Sequence, residues 1–431
     1  MKLWYEIMNN DEAWTILFNR YDIERKIIKD GFFRISADQI REYREPRLMA
    51  KFDHAKNRPR LFSENNLSIL PVSRGMYEIS HFNAYHYFEK QNSSIERAIL
   101  PEHIRTLTPG SVFSEAVALN CAAASGIIAD FTEEKDLVPT VSGRMGSGTF
   151  SFRIGDTSGT EMRKIAVDNA QIEIDAAYEG RQSLVLFEAK MDLADDFLVR
   201  QLYYPFRTWQ NRIGEKTVRT VFLVYSDGVY RMFEYKFDTP ERYDSLRLVK
   251  QKHYIVEDAT VSAEDVFSVW KNSTIVSEPA VPFPQADSFD RMVNLCELLS
   301  VRDMNRREVT ERYDFDVRQT NYYTDAARYL GLLEKRSGKD GPIYTLTERG
   351  QRIFSSGYKA RRLALCELVL AHKPFHIVAE LYFRTRRIPG KREIFDVLKN
   401  VPLYHVESDD TRFRRCSTVK SWLERIIFAV T

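Results

Sequence analysis

Residues 171–190 read Gln-Ile-Glu-Ile-Asp-Ala-Ala-Tyr, then Glu-Gly-Arg-Gln, then Ser-Leu-Val-Leu-Phe-Glu-Ala-Lys. Two runs of β-forming residues flank a four-residue turn containing Gly180, the pattern of an antiparallel hairpin. Side chains alternate faces along a strand, so Glu173 and Asp175 share one face of the first run, and Glu188 and Lys190 share one face of the second. With Glu179 to Gln182 as the loop, Tyr178 pairs with Ser183 and Asp175 lies opposite Leu186. Asp175 and Glu188 then become diagonal neighbours on one face, roughly 7 to 8 Å apart, close enough for two carboxylates to hold one cation between them. An odd loop length would send them to opposite faces. Ile172, Ile174 and Leu184 to Phe187 mark both runs as interior strands, where a charge is costly unless it is paired or bound to a metal.

Asp175, a short hairpin and Glu188-Ala189-Lys190 together resemble the catalytic core of the PD-(D/E)xK nucleases. The resemblance implies that Asp175 and Glu188 ligate Mg²⁺, that the Ala189 carbonyl is a further ligand, and that Lys190 positions or deprotonates the attacking water. The chemistry is consistent: Mg²⁺ favours a few carboxylates plus water and phosphate oxygens, and it both activates water and neutralises charge on a scissile phosphate. Glu173 stands as an alternative to Asp175, and the letters alone do not separate the two. Glu-x-Lys recurs at Glu24–Lys26, Glu133–Lys135 and Glu234–Lys236. The first two lie in charged stretches that read as solvated faces. The third follows an Asp227-Gly228 turn signal, and a turn residue seldom faces the same way as a strand carboxylate seven positions on.

The elements that must position this set follow from the surrounding pattern. Ser111 to Phe131 reads as one alanine-rich helix with Ala116, Leu119, Ala123, Ile127 and Ile128 at helical spacing. Glu115 lies in its first turn, and by the nuclease resemblance it is a candidate additional acidic group near the metal; as a helix-terminal carboxylate it also suits the dipole. Val141 to Gly148 reads as a glycine-rich connection into a strand at Thr149–Ile154, with Arg144 able to reach a nucleic-acid groove. A helix from Asp195 to about Arg212 carries Gln201, which the resemblance makes a candidate polar group at the active site. Val218–Tyr225 and Val229–Phe237 complete the sheet. Helix, three strands, helix and strand imply an α/β (α+β) restriction-endonuclease-like core, with helices covering a mixed central sheet.

At 431 residues the chain is too long for one ordinary core. No stretch approaches the length of an apolar membrane span, the N-terminus lacks a signal peptide's apolar run, and Cys121, Cys296, Cys366 and Cys416 have no paired spacing. A cytoplasmic protein with reduced core cysteines and no membrane partner is expected. The net charge of +2 hides an asymmetry, since residues 351–431 hold 16 Lys and Arg against 8 Asp and Glu. A local basic surface is what phosphate binding needs, whatever the global sum.

Four segments are expected: an N-terminal DNA-recognition domain (1–100), the nuclease domain (101–271), a winged helix-turn-helix domain (288–350) and a basic helical module (351–431). In the first, helices capped by Asp11 and Asp22, a strand at Phe32–Ile35 and a capping box at Ser36–Gln39 suggest a winged-helix-like unit. Arg44, Arg47 and Lys51 line its far end, and Arg74 sits at the tip of a Ser-Arg-Gly turn between two strands. After a proline-rich linker at 272–287, helices at 289–299, 305–313 and 317–330 and a hairpin through Leu333 and Ile343 resemble a winged helix. Its third helix leaves Arg318, Gln319, Asn321 and Tyr322 exposed to read a groove.

The combined expectation is a type II restriction endonuclease, cutting double-stranded DNA with Mg²⁺ as a homodimer, because cutting both strands needs two centres. Two other readings use the same features: a DNA-binding regulator with an inactive nuclease-like domain, and a structure-selective repair or transposition nuclease.

Overall fold

The computed structural model describes residues 9–89, 94–109, 112–159, 161–257, 261–313, 317–338 and 341–428. Residues 1–8, Ser111, Lys339 and Asp340 lie outside them. The protein is a mixed α/β molecule built on a seven-stranded sheet. Its strands in chain order are β1 (Ile95–Ala98), β2 (Val138–Gly146), β3 (Gln171–Glu179), β4 (Ser183–Lys190), β5 (Thr217–Ser226), β6 (Val229–Phe237) and β7 (Leu246–Val256). Across the sheet they run β1-β7-β6-β5-β4-β3-β2. Most neighbours are antiparallel, but β4 and β5 are parallel, as are β7 and β1.

The centre of the sheet forms where the apolar runs are longest. In β4, Leu184 and Leu186 enter one core while Val185, Phe187 and Ala189 enter another on the opposite face. A strand buried on both faces reads as a continuous apolar run rather than an alternation, and each fully buried large side chain contributes roughly 1.5–3 kcal/mol. One face is covered by helix α1 (Glu115–Ala124), which packs Ala118, Leu119, Cys121 and Ala122 inward. The other is covered by α2 (Arg200–Gln210), which follows β4 and leads to the parallel β5.

Several expected boundaries moved. The single helix expected over 111–131 is two, because Gly126 at φ +78° breaks it before Ile127–Thr132. Ahead of the break the helix buries Ala118, Leu119, Cys121 and Ala122, which leaves the expected Ala116 and Ala123 exposed. Val141–Gly146, expected as a loop, belongs to the edge strand β2. An edge strand is paired on one side only, so it tolerates the register shifts around Val141 and the Gly143 at φ +90°. Thr149–Gly155 and Met162–Asp168 form a hairpin that leaves the central sheet and joins strands 33–36, 68–73 and 76–80 in a five-stranded sheet. The N-terminal unit is therefore knitted into the segment between β2 and β3, with Ser73 bridging to Asp168.

Within that unit the Ser36–Gln39 capping box forms as expected, but the first helix is capped by Asn9 rather than Asp11. Asp22 lies at φ +50° between two helices and makes no side-chain cap bond. The helices and strands beyond residue 288 also follow the expected order: Phe289–Val301 (α3), Arg306–Tyr313, Val317–Tyr329, and a hairpin of Leu333–Gly338 with Gly341–Leu346. A short strand at Met304–Asn305 pairs onto that hairpin. One hydrophobic core runs from Val261 to Ile427 and takes in this unit, the helices after it, and Phe283 and Ala286 of the proline-rich stretch. All four cysteines are buried and free. Among the described residues no helix is long and apolar enough to cross a membrane.

Candidate active site

The β3–β4 hairpin sets the site. Leu184 pairs with Glu179 and Phe187 with Ala176, closed by a hydrogen bond from Gly180 N–H to Ser183 O at 2.8 Å. The register is shifted by two from the one expected, which preserves the side-chain parity. Continued by one residue, it sets Asp175 directly opposite Glu188 rather than diagonal to it. Asp175 Oδ2 accepts the Ala189 N–H at 2.7 Å, so a side chain takes the place of the next ladder bond and the strands part there.

Glu188 is 8 % exposed. Its carboxylate accepts from the Lys190 ammonium and, at 2.8 Å, from Gln201 Nε2 on α2. Lys190 also donates to the Ala189 carbonyl at 3.3 Å. The ammonium thus rests on the two oxygens, Glu188 and Ala189, on which a cation is expected. Glu173 is exposed at the cleft and paired with Arg144 at 3.2 Å, which leaves Asp175 as the acid opposite Glu188.

Burial pushes the Glu188 carboxyl up to about 7, opposed by Lys190 and reinforced by the charges of Asp175 and Asp53. For Lys190, burial favours the neutral amine, but Glu188, Asp53, Glu115 and Asp175 together hold it charged and well above its usual range. Glu115, in the first turn of α1, is raised by burial, with Lys190 lowering it and Asp175 and Asp192 raising it further. Four carboxylates therefore surround one ammonium.

Asp53 had no sequence signal of its own. It lies in an irregular stretch of the N-terminal unit, pairs with Lys51 at 3.2 Å, and reaches the site only because that unit folds over β4. The resulting cleft, about 800 Å³, is lined by Asp175, Glu188, Lys190 and Gln201 and by a basic wall from the N-terminal unit, Arg44, Arg47 and Lys51, with Asp53 beside them. Glu115, Arg144, Glu173 and Arg200 complete its lining. Of the remaining basic candidates, Arg74 is exposed at its hairpin tip, outside this lining. Arg318, Gln319, Asn321 and Tyr322 lie on the helix Val317–Tyr329, also outside it, with Arg318 hydrogen-bonded to Tyr322.

The rival Glu234–Lys236 pair makes no site. Arg219 grips Glu234 through two bonds of 2.7 and 2.8 Å, and Lys236 pairs with Asp238 at 3.1 Å. Asp227 and Gly228, both at positive φ, form the expected tight turn.

The donor set around Glu188 suits a hard divalent cation. Among the described residues no group of three or more His, Cys, Asp or Glu side chains is arranged as a metal cage. Two facing carboxylates, a carbonyl and open cleft volume match an ion that keeps several waters. The buried Gln201 Oε1, which has no hydrogen-bond partner, adds an acceptor at the same place.

Three family models match the chain, each described as a domain of unknown function: DUF6996 over residues 11–79, DUF6997 over 80–255 and DUF7226 over 291–431. Glu115, Asp175, Glu188, Lys190 and Gln201 all fall in the second match, and Arg44, Arg47, Lys51 and Asp53 in the first. No curated protein and no solved structure matches the chain.

Proposed function

We propose that this chain is a Mg²⁺-dependent endonuclease of double-stranded DNA with PD-(D/E)xK chemistry, acting as a type II restriction enzyme. The observation that carries the reading is the convergence of Asp175, Glu188, the Ala189 carbonyl and Lys190 in a cleft that Arg44, Arg47 and Lys51 also line. The order β2-β3-β4, α2, then β5 parallel to β4 supports it, because that is the layout the superfamily resemblance implies.

Arg44, Arg47 and Lys51 would hold the phosphate backbone and fix its register, a sequence-independent role. The helix Val317–Tyr329, in a winged-helix arrangement, would read base edges through Arg318, Gln319, Asn321 and Tyr322. Asp175, Glu188 and the Ala189 carbonyl would hold Mg²⁺, which supplies Lewis-acid charge at the phosphate and lowers the pKa of water. Lys190 is an ammonium with donors only. With two of its hydrogens directed at Glu188 and Ala189, the third is left to orient the attacking water or a non-bridging phosphate oxygen. Gln201 fixes the Glu188 carboxylate, and α2, which carries it, covers the face of β4 on which Glu188 lies. Cutting both strands requires two such centres, which a homodimer would bring together.

Incubating the purified protein with plasmid and phage DNA and Mg²⁺ tests the reading. Discrete fragments are the expected result. Absence of cutting with retained DNA binding would replace it with a regulator, and cutting confined to junctions or flaps with a structure-selective nuclease.

A further inference from the structure

The segment Met191–Val199 runs directly from Lys190 to the helix carrying Gln201, and it is held from two sides by residues distant in the chain. From the C-terminal body, Asn294 on α3 donates through Nδ2 to Met191 O at 2.8 Å and accepts the Leu193 N–H at 3.4 Å. Arg291, one turn earlier, pairs with Asp195 at 2.8 Å. From the N-terminal unit, Lys56 pairs with the same Asp195 at 3.3 Å. Asp196, paired there with Tyr87, accepts the Ala55 N–H at 3.0 Å through its carboxylate.

Asn294 is 1 % exposed. A buried amide that satisfies both the donor and acceptor of a loop backbone fixes that loop far better than an apolar residue could, since removing it leaves Met191 O and Leu193 N–H unpaired. The same helix fixes the neighbouring strand: Glu297 accepts the Asp227 N–H at 2.9 and 2.8 Å and the Ser226 hydroxyl at 3.1 Å. α3 therefore grips the ends of both parallel central strands, β4 and β5.

We infer that α3 is a clamp on the catalytic strand, with Asn294 as a positioning residue that sets Lys190 and Gln201 through the 191–199 segment. α3 is also the first helix of the winged-helix-like unit, so the clamp mechanically joins the unit proposed to read DNA to the groups proposed to cut it. The catalytic part of the inference rests on the nuclease reading; the clamp itself does not.

The test pairs hydrogen exchange with kinetics on the full-length chain carrying Asn294→Ala, with Arg291→Gln as a second, more surface-lying variant. Amide exchange across 188–201 is expected to rise at least tenfold in Asn294→Ala while the β6–β7 amides stay protected, and kcat is expected to fall about 10- to 100-fold with KM for DNA within about threefold. Arg291→Gln is expected to show the same pattern more weakly. Unchanged exchange across 188–201 in both variants overturns the clamp. A loss of kcat that only tracks a general loss of protection and of DNA affinity also overturns it, because that is what a merely structural residue would give. If the wild type cuts no DNA, the nuclease reading fails, and the exchange data still decide the clamp.

Discussion

Asp175 and Ala189 are joined side chain to backbone: Asp175 Oδ2 accepts the Ala189 N–H at 2.7 Å where the β3–β4 ladder stops at the Ala176–Phe187 pair. The bond commits one carboxylate oxygen to holding the strand and leaves the other outside it. Parting of the two strands just beyond it opens the floor of the cleft.

This bond gives Asp175 a structural duty beside its proposed ligand role. Asp175→Asn keeps a side-chain acceptor for Ala189 and should cost under about 1 kcal/mol of stability, whereas Asp175→Ala strips it and should cost about 1–2 kcal/mol. Both should abolish Mg²⁺-dependent cutting. Chemical denaturation beside a plasmid assay separates the two effects, and full activity in Asp175→Asn would remove Asp175 from the metal set.

The basic wall should behave as a phosphate-binding surface. Every cationic side chain that neutralises a duplex phosphate adds about 0.9 to the steepness of log K against log salt. Arg47→Ala should therefore weaken binding by a similar factor on every sequence and flatten the slope by about that amount, measured by fluorescence anisotropy over a salt series. An unchanged slope would place the DNA elsewhere.

The sheet and the C-terminal body are pinned by a buried charge cluster. Asp227 is fully buried and pairs with Arg362 at 2.9 Å and Arg361 at 3.4 Å. Removing one partner of a buried pair costs about 3–5 kcal/mol; because Arg361 remains, Arg362→Ala should lie near the lower end, about 3 kcal/mol, by urea denaturation. A loss under about 1 kcal/mol would show that the cluster is dispensable.

His253 on β7 should make stability depend on pH. Burial, then the charges of Arg231 and Arg425, lower its pKa to about 4. The unfolded chain, with an ordinary histidine near 6.5, binds the proton more tightly, so stability is complete above about 6.5 and falls as the pH drops toward 4, by roughly 1–3 kcal/mol. An NMR titration of the ring should give the low midpoint, and His253→Gln should flatten that part of the stability curve. A midpoint near 6.5 would contradict the prediction.

Parity made the acid pair legible in the sequence. Asp175 and Glu188 stay on one face under any even shift of the hairpin, so the two-residue change in register did not part them. The Asp227–Gly228 turn was legible likewise, but the Arg219 that grips Glu234 was not, since nothing local marks that pair. Asp53 was not legible, since it carries no local pattern and enters the site by long-range folding. The departure of 149–168 into the N-terminal sheet was hidden likewise, because strand signals do not say which sheet a strand joins. β2 was missed because Gly143 and Gly146 look like loop residues, although an edge strand with bulges accommodates them; only Ser147 and Gly148 form the connection.

Lys190 carries the most direct test of the nuclease reading. Wild type and Lys190→Ala should be compared on the same plasmid, with Mg²⁺ for cutting and Ca²⁺ for binding without turnover. The single-turnover rate should fall by at least about 10²–10³-fold, the scale of losing a preorganised electrostatic donor, with DNA affinity held within about threefold. Undiminished cutting by Lys190→Ala would contradict the nuclease reading.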